Sequence, residues 1–473
     1  MSETKVKITM LKTGILIIST LLLGSVSFCH SLENEYTITG NIKGASNKTI
    51  TLSDTFGKDH RVVKTSTTDK EGNFRFVLTG GSHPGLYRVE LDEGKYIEFI
   101  FNSEDIILNT SYESPNSSLK FVKSRENLLF TEYTNHNILL EQKYRVLGQA
   151  LVSFPKDDSF YKTLRDEFNR TSREKDEFYE KFIDSSKGTY ACKMIQWLRT
   201  TDPDPGLSEE ERKEFYVNNV FNAVDFLDTE IIYTGIIPAK IKEYILLNES
   251  QQQITKPEYE QQLIFLVDDI MHLASINTEV KGFVTDLLLD LFKNTGLETV
   301  YTHIADTYFE VTLCEAGDDN KGMVQKRSEA FKRLAVGKVA PDIVFPGDES
   351  RKKLSDNDFK YALILFWSTT CPTCKKLIPR LVELNEEYSA KGLRVFPVSL
   401  DRDKADLDSY LDKNSLPWPV FCDYQGWEGE IAGDYFVYAT PTMFLLSSNL
   451  EILAKPISVF SLEKDITRII DQP

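Results

Sequence analysis

The sequence contains few of the residues from which metal sites and disulfide-stapled folds are built. Its 473 residues include six cysteines and six histidines, and no histidine follows His303. A secreted domain held together by disulfides is short and much denser in cysteine, so this chain does not belong to that class. Cys192 and Cys314 lie in helix-like apolar surroundings. There we expect small buried side chains or, as the alternative, one structural disulfide.

Basic residues are also scarce relative to acidic ones. Lysine and arginine number 55 against 72 aspartate and glutamate residues, which gives the chain a formal net charge of −17. A protein that binds nucleic acid needs a basic face to neutralise phosphates. We therefore expect no nucleic-acid partner.

Long apolar runs are absent from the sequence except near its first residue. There, three lysines precede the run GILIISTLLLGSV, which is followed by small residues. This order is typical of a secretory signal peptide, so residues 1–31 are predicted to direct export to the periplasm or cell envelope. Two alternatives would tether the protein to the membrane: an uncleaved signal anchor, or lipid on Cys29. Lipoprotein processing prefers a small residue before the cysteine, and this position holds Phe28.

The spacing of apolar residues divides the rest of the chain into three regions. From 35 to 115, apolar and polar residues alternate in short runs broken by Gly, Asn and Asp. This predicts a small antiparallel β domain, a sandwich or a barrel, that serves for docking or packing. From 120 to 332, apolar residues recur three and four apart, which predicts an all-α middle region. From 337 to 473, strand-like and helix-like segments alternate, which predicts an α/β domain.

Two cysteines, Cys371 and Cys374, follow an apolar strand-like segment that ends in Trp367. One hypothesis for such a pair is a structural zinc site, which needs four cysteine or histidine ligands. Cys422 is the only other cysteine in the C-terminal region, and histidine is missing there. We therefore expect neither a metal site nor a cofactor, and thiol chemistry is favoured.

The position of the pair suits thiol–disulfide exchange. Cys371 is predicted at the start of a helix, where the partial positive charge of the helix N-terminus stabilises a thiolate. Pro372 fits the first turn of that helix, because the N–H that it lacks would have no partner there. Cys374 lies about one turn further along, so one thiol can attack a substrate disulfide and the other can resolve the mixed disulfide.

Several segments resemble a known family. FWSTTCPTCKKLIP is similar to the active-site segment of the thioredoxin superfamily, and Ala439–Thr442 is similar to the cis-proline loop that faces the cysteine pair. VGKVAPDIVFPG and residues 393–423 resemble the TlpA/ResA-like branch, which comprises exported thiol–disulfide oxidoreductases. More weakly, region 35–115 resembles the small β domain that often precedes a helical linker in such proteins.

The resemblance implies a thioredoxin-like α/β fold, with a mixed central sheet flanked by helices, and a thiol–disulfide oxidoreductase that acts as a reductase. It implies that Cys371 is the nucleophile, that Cys374 resolves, and that the two form the redox disulfide. The implied substrate-binding or supporting residues are Trp367, Pro372, Thr440 and Pro441, the last in the cis form. Implied partners are disulfide-containing exported proteins and a membrane-bound thiol reductant.

Three positions depart from the family pattern. Relatives carry a buried carboxylate that handles the proton of the resolving cysteine, but Leu365 and Leu377 stand where an acid is expected. Thr370 replaces the aromatic residue that is common before the first cysteine. The proton acceptor for Cys374 is therefore unassigned, with Asp401, at a predicted strand end, as a weak candidate.

Two other functions compete with this interpretation. A peroxidase of thioredoxin fold needs a threonine or serine three residues before its reactive cysteine and a proline further upstream. Ser368 fits the first requirement, but Ile364 stands where the proline should be. The third hypothesis is an interaction protein of the cell envelope, whose β and helical regions bind a partner while the cysteine pair is vestigial.

Overall fold

The computed structural model of the protein describes residues 34–92, 94–249, 254–309, 318–346 and 353–471. The predicted signal peptide, Cys29 and Cys314 lie outside these ranges, so the structure does not bear on the predictions made for them. No helix within the described ranges combines the length and the apolar character that crossing a bilayer requires.

The first described region, residues 34–123, folds into β-strands. They are β1 (Glu35–Lys43), β2 (Thr49–Phe56), β3 (Asp59–Thr67), β4 (Asn73–Thr79), β5 (Gly85–Asp92), β6 (Lys95–Phe101), β7 (Ile106–Ser111) and β8 (Lys120–Lys123). Two four-stranded sheets result, in the orders β4-β1-β7-β8 and β3-β2-β5-β6. Alternate side chains from both sheets share one apolar core, because every second residue of a strand points to the same face.

Two features of this region differ from the prediction. β1 pairs with β7 in parallel, so the region is not wholly antiparallel. A period of two residues identifies the buried face of a strand, but it carries no information on the direction of the neighbouring strand. In addition, β8 lies in the segment predicted to be helical, because its four residues are too few to show alternation.

The middle region is helical, as predicted. Its described helices are α1 (Arg125–Ser153), α2 (Ser159–Ser186), α3 (Tyr190–Leu198), α4 (Glu209–Asn219), α5 (Ile236–Leu247), α6 (Lys256–Ala274), α7 (Thr278–Phe292), α8 (Glu298–Thr307) and α9 (Asp318–Arg333). Residues with a known preference for helix N-termini mark where several of these helices begin. Ser208 and Glu211 form a reciprocal capping box at α4. Pro257 occupies the first turn of α6, where its missing N–H costs no hydrogen bond.

The C-terminal domain, residues 337–471, is a mixed sheet with helices on its faces. Its elements are β9 (Tyr361–Trp367), α10 (Pro372–Tyr388), β10 (Leu393–Ser399), α11 (Lys404–Lys413), β11 (Phe421–Cys422), α12 (Glu430–Asp434), β12 (Thr442–Ser447), β13 (Ile452–Ala454) and α13 (Val459–Ile466). The strand order is β11-β10-β9-β12-β13. The first three strands are mutually parallel, and β12 and β13 run antiparallel to their neighbours. The predicted α/β class with a mixed central sheet is confirmed.

The central strand β9 is buried on both faces along its whole length. Leu363, Leu365 and Trp367 belong to the apolar cluster that contains residues of α10 and α13. Ile364 and Phe366 belong to the cluster on the opposite face. Because helices cover both faces, this strand reads as a continuous apolar run rather than an alternating one. The loop that follows β9 therefore begins at the carboxyl end of the central strand of the sheet.

An ion pair joins the helical region to the C-terminal domain. Lys455, directly after β13, donates to the carboxylate of Glu298 at the start of α8. The two side chains are only 14% and 19% exposed. Burial raises the pKa of Glu298 and lowers the pKa of Lys455. Each charge in this dry position therefore depends on the other to remain ionised.

Asp54 in β2 is a buried carboxylate held by two partners in the β region. Arg61 donates to its Oδ2 at 2.7 Å, and Nε2 of His83 lies 2.8 Å from the same oxygen. Burial alone would raise the pKa of Asp54, but the hydrogen bonds from His83 and Arg61 lower it from 3.8 to about 2. The folded state therefore binds this proton less tightly than the unfolded state does.

Asp54 should make the stability of the β region sensitive to acid. Its contribution is fully present above pH 3.8 and is lost as the pH falls towards 2. We expect Asp54→Asn to lower the free energy of unfolding at pH 7 by about 1–2 kcal/mol, with a smaller difference near pH 2.5. Urea unfolding at both pH values checks this, with the exposed Asp59→Asn as the control. An equal difference from wild type at both pH values would contradict the assignment.

Candidate active site

The loop after β9 places Cys371 at the N-terminus of α10. Cys371 is the N-cap residue, and Pro372 is the first residue of the helix. The backbone N–H of Cys374 donates to Sγ of Cys371 at 3.1 Å, so the sulfur occupies the position of a capping oxygen. The sequence prediction that this cysteine begins a helix therefore matches the geometry. A negative charge on Sγ at this position would face the unpaired N–H groups of the first turn.

Cys371 and Cys374 are joined by a disulfide, with their Cα atoms 5.3 Å apart. Their accessibilities differ. Cys371 is half-buried, whereas Cys374 is completely buried in the apolar cluster beneath α10. An external reactant can therefore approach the first sulfur of the pair and not the second. This asymmetry is the one that exchange chemistry needs, with an accessible nucleophile and a shielded resolving thiol.

The loop before β12 lies against the accessible sulfur. Its Thr440–Pro441 peptide bond is cis. The carbonyl oxygen of Thr440 lies 3.4 Å from Sγ of Cys371, although the two residues are far apart in sequence. Thr440 itself is half-buried. The structure thus brings together all four of Cys371, Cys374, Thr440 and Pro441.

Trp367 belongs to the apolar cluster that also contains Cys374. The side chain is completely buried, and its ring centroid lies 5.3 Å from that of Tyr410 on α11. Its indole N–H has no hydrogen-bond partner among the described residues. Leu365 and Leu377, which stand where relatives keep an acid, are buried in the same cluster as Cys374. The cluster that surrounds Cys374 is therefore apolar at both of these positions.

Asp401 organises the turn that precedes Cys371. The carboxylate is buried and accepts hydrogen bonds from the backbone N–H of Thr369 at 3.0 and 3.1 Å. It also accepts from the hydroxyls of Thr369 and Ser399, each at 2.6 Å. Sequence reasoning had offered Asp401 only as a proton acceptor and had missed this network. A polar residue directly after a buried strand was the available signal.

We expect Asp401→Asn to act mainly on the stability of this turn. The amide can replace only part of the acceptor set, so the free energy of unfolding should fall by about 1–3 kcal/mol. If Asp401 only holds the turn, the pH dependence of thiol alkylation should keep its shape. Urea unfolding and pH-dependent alkylation of the reduced protein measure the two effects, with Asp408→Asn, at an exposed position of α11, as the control. A displaced pH profile with unchanged stability would instead support the role of proton acceptor.

Cys422 and Cys192 are the free cysteines of the described chain. Sγ of Cys422 lies 3.2 Å from the carbonyl oxygen of Asp401, and burial raises the pKa of its thiol. A raised pKa leaves less thiolate at neutral pH, so this cysteine is a poorer nucleophile than an exposed one. Cys192 is buried in α3, as expected for a small apolar side chain. Among the described residues, no group of three or more potential metal ligands converges.

Comparison with known proteins identifies the C-terminal domain. The AhpC/TSA family matches residues 336–455. Thiol-disulfide oxidoreductase ResA of Oceanobacillus iheyensis is 32% identical over 135 residues, which cover 28% of this chain and 69% of the relative. The chain belongs to the family of thiol–disulfide oxidoreductases that includes ResA. ResA of Geobacillus thermodenitrificans is 30% identical over 117 residues, which cover 24% of this chain and 66% of the relative.

A solved thiol-disulfide oxidoreductase from Bacteroides fragilis is also similar, with 30% sequence identity and a TM-score of 0.26. The alignment covers 28% of this chain and 99% of that structure. In this thiol–disulfide oxidoreductase, the family match lies in the C-terminal domain. The resemblance to the thioredoxin superfamily inferred from the sequence is confirmed, and the chain is an enzyme of this class.

Proposed function

We propose that the protein is a thiol–disulfide reductase of the periplasm or cell envelope that acts through Cys371 and Cys374. The observation that carries the proposal is the unequal exposure of two sulfurs at one helix N-terminus. The accessible sulfur is stabilised as a thiolate by the helix. The buried sulfur is positioned to attack it from within the protein.

The reaction balances in two exchange steps. The thiolate of reduced Cys371 attacks one sulfur of a substrate disulfide, which forms a mixed disulfide and releases the other substrate sulfur as a thiolate. Cys374, once deprotonated, then attacks Sγ of Cys371 and releases the second substrate sulfur. The substrate gains two electrons and two protons, and the enzyme is left with the Cys371–Cys374 disulfide. A membrane-bound thiol reductant would restore the dithiol.

The substrates would be disulfide-containing exported proteins. The half-buried Thr440 beside Cys371 offers a backbone edge along which an extended polypeptide could lie. Pro372, the residue after Cys371, is exposed and would form part of this surface. Trp367 would support it from below. The predicted signal peptide, or the alternatives of an anchor or lipid on Cys29, would place these thiols where disulfides form.

The direction of the reaction can be tested by measuring the reduction potential of the pair. We expect a value near roughly −270 mV, typical of a reductant, and catalysis of insulin reduction by dithiothreitol. A value near roughly −120 mV would identify an oxidase and contradict the proposed direction.

The peroxidase hypothesis makes a separate prediction. Ser368 is buried and its hydroxyl lies 3.0 Å from that of Thr370, while Ile364 is buried within β9. We expect the reduced protein to consume hydrogen peroxide no faster than free thiols do. Rapid consumption that depends on Cys371 would favour the peroxidase instead.

A further inference from the structure

The segment before the Thr440–Pro441 loop packs against the helical region rather than against its own domain alone. Phe436 and Tyr438 each lie 6.4 Å, between ring centroids, from Phe331 of α9. Arg333, at the end of the same helix, donates to the carbonyl oxygen of Asp434 at 2.8 Å. Helix α9 therefore contacts the residues that lead into the active-site loop.

Arg327 of α9 also contacts this segment, through aromatic rings. Its guanidinium carbon lies 4.5 Å from the ring centroid of Tyr438, and 5.9 Å and 5.8 Å from those of Phe436 and Tyr301. Nη1 donates to the carbonyl oxygen of Lys293 at 3.3 Å, which ties the side chain to the end of α7. Nε is buried without a hydrogen-bond partner among the described residues. The cation is thus held mainly by aromatic rings.

Tyr438 is close in sequence to Thr440, whose carbonyl oxygen faces the reacting sulfur. It precedes Thr440 by two residues, a distance that an extended backbone spans in about 7 Å. The carbonyl oxygen of Thr440 lies 3.4 Å from Sγ of Cys371. A displacement of the Tyr438 ring would therefore move the edge that faces the disulfide. Tyr438 remains 39% exposed, so packing from its own domain does not fix it completely.

We propose that Arg327 is a positioning residue for polypeptide substrates, which it serves by holding Tyr438 and thereby the Thr440 edge in place. The helical region thus takes part in selecting which disulfides the enzyme reduces. The inference rests on the proposed function. A small disulfide needs only an accessible sulfur, whereas an extended polypeptide also needs an ordered edge beside it. Loss of Arg327 should therefore affect the two kinds of substrate unequally.

The test compares insulin with hydroxyethyl disulfide, both reduced by the full chain. We expect Arg327→Ala to lower kcat/KM for insulin by about 2- to 30-fold, the range that a cation–aromatic contact of this kind represents. The value for hydroxyethyl disulfide should change less than about two-fold. Arg327→Lys, which keeps a cation for the ring, should fall between Arg327→Ala and wild type. Arg199→Ala is the matched control, since Arg199 lies 3.9 Å from the ring of Tyr179 within the helical region.

If Arg327→Ala folds poorly, a second variant tests the same contact. Tyr438→Leu removes the other half of the contact, and the double variant should be no worse than the more affected single variant, because both remove one interaction. Equal losses for insulin and hydroxyethyl disulfide, additive effects, or no loss would overturn the inference while leaving the proposed function intact. A wild-type enzyme that reduces neither substrate would overturn both.

Discussion

Replacing Cys371 with serine should lower the catalysed reduction of insulin by at least about 10³-fold, because a hydroxyl is not a nucleophile towards a disulfide at neutral pH. The expected effect is this large because Cys371 is the accessible sulfur of the pair, and Cys374 is too deeply buried to replace it. The rate is measured from the precipitation of insulin B chain in the presence of dithiothreitol.

The control for this loss is Cys192→Ala, which removes a thiol from α3 in the helical region. We expect it to reduce insulin as the wild type does. Equal background rates for wild type and Cys371→Ser would instead favour the hypothesis that the cysteine pair is vestigial and that the protein binds an envelope partner.

Replacing Cys374 with serine should stop the reaction half-way. Attack by Cys371 still forms a mixed disulfide, but the internal thiol that would break it is missing. An external thiol at millimolar concentration replaces a group whose effective concentration is far higher, so turnover should fall by at least about 10²-fold. A covalent adduct between enzyme and insulin chain should therefore accumulate.

This adduct is detected on a non-reducing gel and should disappear on addition of excess dithiothreitol. The same experiment with Cys371→Ser is the matched comparison, since that variant keeps Cys374 and loses the accessible sulfur. Adduct formation by Cys371→Ser rather than by Cys374→Ser would show that the two roles are reversed. The same Cys374→Ser variant, expressed in the native envelope, would retain its substrates for identification.

Local pattern predicted the elements of the C-terminal domain well, since each reflects short-range physics. The apolar run before Cys371 is strand-like and Pro372 suits a first helical turn, and β9 and the start of α10 lie where the sequence places them. The segment DIVFP, which is strand-like in the sequence, makes one isolated bridge, between Val344 and Lys353, and no regular strand. The prediction of a wholly antiparallel β region was wrong, because β1 pairs with β7 in parallel and strand direction depends on distant connections.

Contacts between residues that are far apart in the chain could not be predicted from the sequence. Only the family resemblance predicted that the cis-proline loop faces the cysteine pair. No periodicity or spacing in the sequence relates Cys371 to Thr440. The stacking of Arg327 on Tyr438 involves two regions with different patterns, and each residue reads locally as an ordinary surface side chain. Asp401 was visible as a polar residue after a strand, but its partner Thr369 was not.

The ion pair between Glu298 and Lys455 means that the redox domain is not energetically self-contained. If the chain were cut after Arg333, Lys455 would lose its carboxylate and Phe331 would no longer cover it. In a fragment that begins near residue 337, Lys455 would keep the ring of Phe444, which lies 5.2 Å from its Nζ, but would have no Glu298 beside it. We therefore expect such a fragment to be less stable than the full chain, because Lys455 would lose the partner that offsets the burial of its charge.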